Sequence, residues 1–402
     1  MDPTTSHNLT IYIVGHYRAG AADGLAEFNY RITQLLKEQF SIQFIEFDGT
    51  KNSDWHGTET KENVLIHLFG AKSRSKFQLP TAFQNWLEQL DNTNCVFHLS
   101  HIYNIDNYLV CRQLKRLSIP FIITPHDSFV YDPAYTQARP FLKRWYRNVF
   151  VSVFDKYVLD NATVVHGISE MCATYLSNVT KTPVSVVTNQ VNDMRIPFDV
   201  ASLKEQVCFI GRFDIFRKGI DIALTAFHLF KEQSQDAADV TYVLIGPADA
   251  HATQEREFIC QKLGLRIGQD VIFTNKIPEP ERNSLLAQSK AYMQLSRTEG
   301  FGLSIAQALS CYKPVVVSTQ VPIHGKIVAH KAGFAVNNAE EAAQALTKIF
   351  ALTPTEYSAM AHNARQCYEQ EFHPDIIKPQ LVGMYEKAAA GLRKLSAAVH
   401  QL

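Results

Sequence analysis

The chain reads as an α/β protein of two doubly wound, Rossmann-like domains facing a central cleft. Three observations predict this. Short β-branched or aromatic runs alternate with longer helical patterns from end to end, the grammar of parallel sheets covered by helices. The same grammar restarts near residue 206, after a polar stretch. The length of 402 residues exceeds one ordinary core, at roughly one domain per 150 residues.

Taken in order, the first half offers strands at Leu9–Gly15, Ile42–Asp48, Val64–Phe69, Cys95–Leu99, Phe121–Thr124, Thr163–Gly167 and Val184–Val187. The polar segment Asn189–Lys204 contains Pro197 and shows no clear periodicity, so it is the predicted linker between residues 1–190 and 191–373. The second half offers strands at Gln206–Ile210, Tyr242–Gly246, Val271–Phe273, Ala291–Leu295 and Val315–Val317. Helical stretches such as Asp221–Gln233, Glu281–Ala287 and Leu303–Cys311 separate them, and Thr355–Phe372 and Pro374–Ala390 close the chain as helices.

Hydrophobic residues make up 46% and charged residues 19%, with 39 basic and 39 acidic side chains in balance, so nothing draws the whole chain to nucleic acid. Any charged site must be local. The seven cysteines are odd in number, and no two stand closer than Cys95 and Cys111, which excludes a disulfide framework or zinc knuckle and suits a reducing, cytoplasmic setting. The apolar run Leu9–Val14 is too short for a signal core or a bilayer span.

In open α/β sheets ligands sit outside the carboxyl ends of strands, so the residues just after strands are the candidates. The loop Gly15 to Gly24 has glycines that allow close backbone approach before a helix, or is simply a flexible connection. Arg212 and Lys218 lie between a strand ending in Ile210-Gly211 and a helix beginning after Gly219. Two cations there would neutralise a departing diphosphate; the alternative is solvated loop charge. Glu299 follows another strand and precedes Gly300-Phe301-Gly302-Leu303, whose backbone N–H groups would open a helix. Glu299 either faces a ligand or caps that helix. No His, Asp or Glu group has metal-ligand spacing, so no divalent cation or other cofactor is expected.

The Gly-Arg…Lys-Gly segment, followed by Glu299-Gly300-Phe301-Gly302-Leu303 and Lys313-Pro314-Val315-Val316-Val317, resembles the donor-binding domain of family 4 of the glycosyltransferases, which are retaining enzymes of GT-B fold. The similarity spans nearly the whole chain and is strong from Cys208 to Val317. It implies that residues 1–190 form the acceptor-side domain, 191–373 bind the nucleotide-sugar donor, and a last helix at about 374–393 packs back on the first domain. It further implies that Arg212 and Lys218 hold the diphosphate and Glu299 contacts donor-sugar hydroxyls. Phe301, Gly302, Leu303 and the Gly15 loop contribute backbone contacts. Pro125-His126-Asp127 is similar to the family's cleft histidine, which would approach the donor sugar; His98 and His101 are secondary, acceptor-side candidates.

Where the family has a second acid for the ribose this chain has Gln307, a weaker partner than a carboxylate. Asn189-Gln190 stands for the usual Asn-Gly, the first glycine loop is spread out, and a late Gly-x-x-Glu reads Gly325-Lys326-Ile327-Val328. The implied reaction is transfer to a saccharide, lipid-linked or small-molecule acceptor hydroxyl. The rival class is a non-catalytic nucleotide-sugar-binding or scaffold subunit; a phosphorylase, epimerase or dehydrogenase lacks its marks here. Arg139 to Phe150 mixes basic and aromatic residues in a helical pattern, expected to pack its aromatics onto the sheet with cations outward, the alternative being a peripheral membrane contact. Lys72, Arg74 and Lys76 read as a solvated basic loop.

Overall fold

The computed structural model describes residues 9–17, 24–72, 75, 77–126, 128–131, 141–234 and 237–399. The chain divides into two compact units, one running to Thr188 and resuming at Ile377, the other spanning Asn189–Ile376.

Unit 1 holds strands β1 (Thr10–Val14), β2 (Ser41–Asn52), β3 (His56–Lys61), β4 (Val64–Lys72), β5 (Cys95–Ser100), β6 (Phe121–Thr124), β7 (Val164–Gly167) and β8 (Val184–Val186) in the order β3-β4-β2-β1-β5-β6-β7-β8. All neighbours are parallel except β3, which runs antiparallel to β4. Every residue of β5 is buried, as expected of a central parallel strand covered on both faces. β3 went unanticipated because His-Gly-Thr-Glu-Thr-Lys carries no apolar run. Its two-residue turn, Glu62 and Asn63, has φ of 48° and 64°, the geometry that follows strand twist in a hairpin.

One face of this sheet is covered by Phe28, Ile32 and Leu36 of the helix Gly24–Leu36, at the four-residue spacing of a helical stripe. Leu381, Met384, Tyr385 and Ala388 of the last helix, Pro374–Val399, join the same core. The helix Phe141–Phe150 reverses the expected arrangement. None of its ten residues is buried, Phe141, Trp145 and Tyr146 face solvent, and Arg147 donates instead to the Val130 carbonyl. Arg74 and Lys76 of the small basic group lie outside the described residues.

Unit 2 holds β9 (Lys204–Ile210), β10 (Thr241–Ile245), β11 (Val271–Thr274), β12 (Ser289–Gln294), β13 (Val315–Ser318) and β14 (Gly333–Val336), all parallel, in the order β11-β10-β9-β12-β13-β14. β14 is an edge strand whose sequence, Gly-Phe-Ala-Val, has a single β-branched residue and makes no β-branched run. Helices Ile220–Gln233 and Ala339–Phe350 bury Leu224, Phe227, Leu346 and Ile349 against the sheet. Strand order reverses between β9 and β12, which opens a crevice beyond their carboxyl ends.

The predicted linker, Asn189–Lys204, falls within unit 2, where side-chain and backbone bonds hold it. Asp193 receives both terminal nitrogens of Arg365, at 2.8 and 2.6 Å, and that pairing brings its carboxyl down to about 2. Val191 donates its N–H to the Phe372 carbonyl and accepts the Tyr368 hydroxyl at 2.8 Å.

Candidate active site

The crevice of unit 2 is built from two loops. The first leaves β9 at Gly211 and carries Arg212 and Lys218 before the helix Ile220–Gln233. Gly219 adopts φ +61°, and a Cβ there would lie 1.9 Å from the Leu295 carbonyl oxygen. Only glycine lets this loop rest against the end of β12, which delivers the second loop and Glu299. Arg297 braces the same junction, with its guanidinium paired to Asp221 at 2.7 and 2.6 Å and lying over the Phe216 ring.

Lys218 Nζ meets Glu299 Oε2 at 2.6 Å, with side chains only 14% and 11% exposed. Gln294 Nε2 donates to the same oxygen at 2.8 Å and Ser296 Oγ at 3.2 Å. Three donors therefore saturate Oε2, while Oε1 has no partner among the described residues. Gln294 is itself oriented from behind, since its Oε1 lies 2.8 Å from the Tyr292 hydroxyl and 3.0 Å from Ser304 Oγ. Burial raises the Tyr292 phenol well above its usual range, so it stays a neutral donor.

Glu299 does not cap the helix Leu303–Ser310; the N-cap is Gly302, at φ +102°, with no side-chain bond. The N–H groups of Phe301, Gly302 and Leu303 have no acceptor among the described residues, as the first turn of a helix requires. Phe301 buries its ring edge-on against Phe372, 5.6 Å between centroids, which fixes the backbone of this turn. Gln307 is part-exposed one turn further on, and its carboxamide makes no hydrogen bond among the described residues. Arg212 is exposed, with no partner for its guanidinium among the described residues. Spacing and resemblance had singled out the acid and the two cations; Gln294, Ser296 and the Tyr292–Ser304 support were missed.

Unit 1 places a different cluster at the carboxyl ends of its strands. His166 Nε2 lies 2.8 Å from the Val187 carbonyl, which can only accept, so this nitrogen carries the proton. His166 Nδ1 then accepts from Thr124 Oγ1 at 2.8 Å, and Thr124 accepts from His98 Nε2 at 2.7 Å. His98 Nδ1 in turn accepts the Tyr385 hydroxyl at 2.6 Å. One acceptor thus sets the direction of the whole chain. Burial holds His98 well below the usual imidazole range and His166 at about 4, so both are neutral. The acceptor-side expectation for His98 is corrected: it is fully buried and both ring nitrogens are used.

His126 stands edge-on to Phe28 at 4.2 Å, and its Nε2 is sealed from solvent with no partner among the described residues. Burial, then His166 and His101, push it down to about 3, so it presents a neutral imidazole. Asp127 lies outside the described residues. His101 adopts φ +79°, held by Asn107 Nδ2, which donates to the Ser100 and His101 carbonyls at 3.0 and 2.9 Å. A left-handed non-glycine residue at a strand end stores backbone strain of the kind found at ligand sites. A Cβ at Gly15 would come 2.9 Å from Asn29 Nδ2, so the first loop crosses close over the helix that follows it. Its continuation, residues 18–23, lies outside the described residues. Among the described residues no three His, Cys, Asp or Glu side chains gather to hold a metal ion.

Residues 193–367 match the profile of the family described as "Glycosyl transferases group 1". The trehalose synthase of Pyrococcus horikoshii is 27% identical over 205 residues, 48% of each chain. A phosphatidyl-myo-inositol mannosyltransferase of Propionibacterium freudenreichii is 25% identical over 190 residues, 45% of this chain and 43% of that one. The chain spans about half the length of the curated relatives it matches. Over nearly its whole length it superposes on a sucrose-phosphate synthase of Thermosynechococcus elongatus, with TM-score 0.69, 19% identity and coverage of 97% and 100%. A UDP-forming trehalose-phosphate synthase of Burkholderia vietnamiensis gives 0.72 at 13% identity, with coverage of 96% and 98%. These likenesses establish the fold.

Proposed function

We propose that this chain, a GT-B protein carrying a group 1 glycosyltransferase domain over residues 193–367, moves a sugar from a nucleotide-sugar donor to an acceptor hydroxyl with retention. The observation that carries the reading is Glu299, which has one oxygen saturated by Lys218, Gln294 and Ser296 and the other unpartnered at the reversal of strand order. Oε1 accepts donor-sugar hydroxyls there. A carboxylate so heavily hydrogen-bonded is a poor nucleophile, which favours direct transfer over a covalent intermediate.

In that reaction the bond from the anomeric carbon to the diphosphate oxygen breaks and a bond to the acceptor oxygen forms on the same face. The acceptor proton passes to a phosphate oxygen of the departing diphosphate. Arg212 and Lys218 neutralise the charge that grows there, together with the N–H groups of Phe301, Gly302 and Leu303, so no metal is required. Lys218 is already held in place by Glu299, so its ammonium needs little reorganisation. Gln307 receives the ribose as an amide. The acceptor is a saccharide, a lipid-linked sugar or a small molecule, and seven buried free cysteines suit a reducing compartment.

A second reading, a non-catalytic nucleotide-sugar-binding or scaffold subunit, is favoured only by Gln307 in place of an acid. Calorimetry with UDP, GDP, ADP and CMP tests both. One nucleotide should bind selectively, and Arg212→Ala should weaken it about tenfold or more, the worth of a charge-assisted contact. Binding of none would turn the assignment toward the scaffold.

A further inference from the structure

We infer that the outward apolar face of the helix Phe141–Phe150 is a docking surface for an anionic lipid bilayer. At the angular step of an α-helix, Phe141, Leu142, Trp145, Tyr146 and Val149 fall within an arc of about 140°. In a folded protein such a stripe normally faces the core. Here it faces out: Phe141, Leu142, Trp145 and Tyr146 are 67%, 76%, 60% and 59% exposed. On the opposite side Arg147 reaches the Val130 carbonyl, while Lys143 stays exposed. The helix is anchored at its far end, where Phe150 packs on Tyr103 at 4.4 Å and on Phe154 at 4.9 Å. Val153, half exposed in the π-turn that follows, extends the stripe.

The chemistry of the stripe selects its occupant. Trp145 and Tyr146 combine an apolar ring with a polar tip, which suits the boundary between acyl chains and headgroups. Lys143 and Arg144 border the stripe on its two sides, and the helix has no acidic residue, so its charge complements anionic headgroups and repels none. A protein partner's face would more commonly be depleted of lysine at such a centre. Ten residues reach about 15 Å, so the helix lies in the interface without crossing it. Among the described residues no helix is long and apolar enough to cross a membrane.

Where the chain is a glycosyltransferase, a docked enzyme meets an acceptor carried by lipid, and that consequence rests on the proposed function. Docking itself is read without turnover. The full chain is sedimented with vesicles of phosphatidylcholine alone or with added phosphatidylglycerol, and tryptophan emission is recorded. Binding to the anionic vesicles is expected, about tenfold or more tighter than to phosphatidylcholine, weakening with salt and shifting emission to the blue as Trp145 leaves water. A Leu142→Ser, Trp145→Ser double variant should lose at least about tenfold in vesicle binding while keeping its nucleotide affinity in calorimetry. Three results would overturn the inference: no binding to either vesicle, undiminished binding by the double variant, or self-association through this face that the double variant abolishes. Loss of nucleotide binding alone would count against the proposed function and leave the docking result standing.

Discussion

In unit 1 the carboxyl ends of β5, β6 and β7 carry neutral imidazoles and a hydroxyl, each spent on the next; in unit 2 the ends of β9 and β12 carry an ion pair with an unspent oxygen. The strand arrangement is similar, so the difference lies in burial. His98, Thr124 and His166 are sealed, and a buried imidazole is kept neutral because charging it would cost several kcal/mol. Lys218 and Glu299 keep a margin of exposure, enough to exchange partners with a ligand. A closed polar network serves the fold, while an open one is available to chemistry.

The largest expected effect breaks the open network. Glu299→Ala should lower sugar transfer by about 10²–10³-fold in a protein that is still folded by circular dichroism, as loss of a preorganised polar contact in a transfer site does. Full turnover in the purified variant would remove Glu299 from the site. The closed network should show the converse. Thr124→Val keeps the shape but strands the His98 proton and the His166 lone pair, costing about 2–4 kcal/mol in urea denaturation. Nucleotide affinity should not change.

Acid sharpens the contrast. His166, at about 4 when folded against 6.5 as the ordinary value, takes up a proton on unfolding. Its contribution is full above pH 6.5 and falls by about 1.4 kcal/mol per pH unit down to pH 4. Asp155, raised to about 6 by burial, acts oppositely, stabilising at low pH and losing this as pH rises through 6. His98 and His126 side with His166, so unit 1 should weaken on acidification. Between pH 7 and pH 5 the stability advantage of wild type over His166→Asn should shrink by about 2 kcal/mol; an unchanged gap would mean His166 is not held neutral. The smallest effect belongs to Gln307→Glu, expected to tighten nucleotide binding a few-fold, up to about tenfold. Unchanged affinity in calorimetry would place residue 307 away from the ribose.

The open network was legible because its residues stand beside the glycines their loops need. Lys218 precedes Gly219 and Glu299 precedes Gly300 and Gly302, and such pairs mark where a strand turns into a helix. Gln294 was not, because Tyr-Met-Gln-Leu reads as an ordinary strand, and only folding brings its amide to Glu299. The chain through Thr124 joins residues as far apart as His98 and Tyr385, a distance that periodicity does not bridge. For the helix Phe141–Phe150 the sequence gives two faces and no indication of which one turns inward. That choice is made by Tyr103 and Val130, which lie outside the helix.

Unit 1 is also written in two pieces along the chain. The side chains that cover Ile11, Phe28 and Phe44 include Leu381, Met384 and Tyr385, which a ribosome makes only after all of unit 2. At roughly 5–20 residues per second, the interval from Thr188 to Ile377 lasts about 10–40 s. For that time the first unit waits with an uncovered apolar surface and with His98 lacking its last hydrogen-bond donor, while the contiguous second unit is free to fold. Translation speed and chaperone access during that interval therefore bear on the yield of this protein.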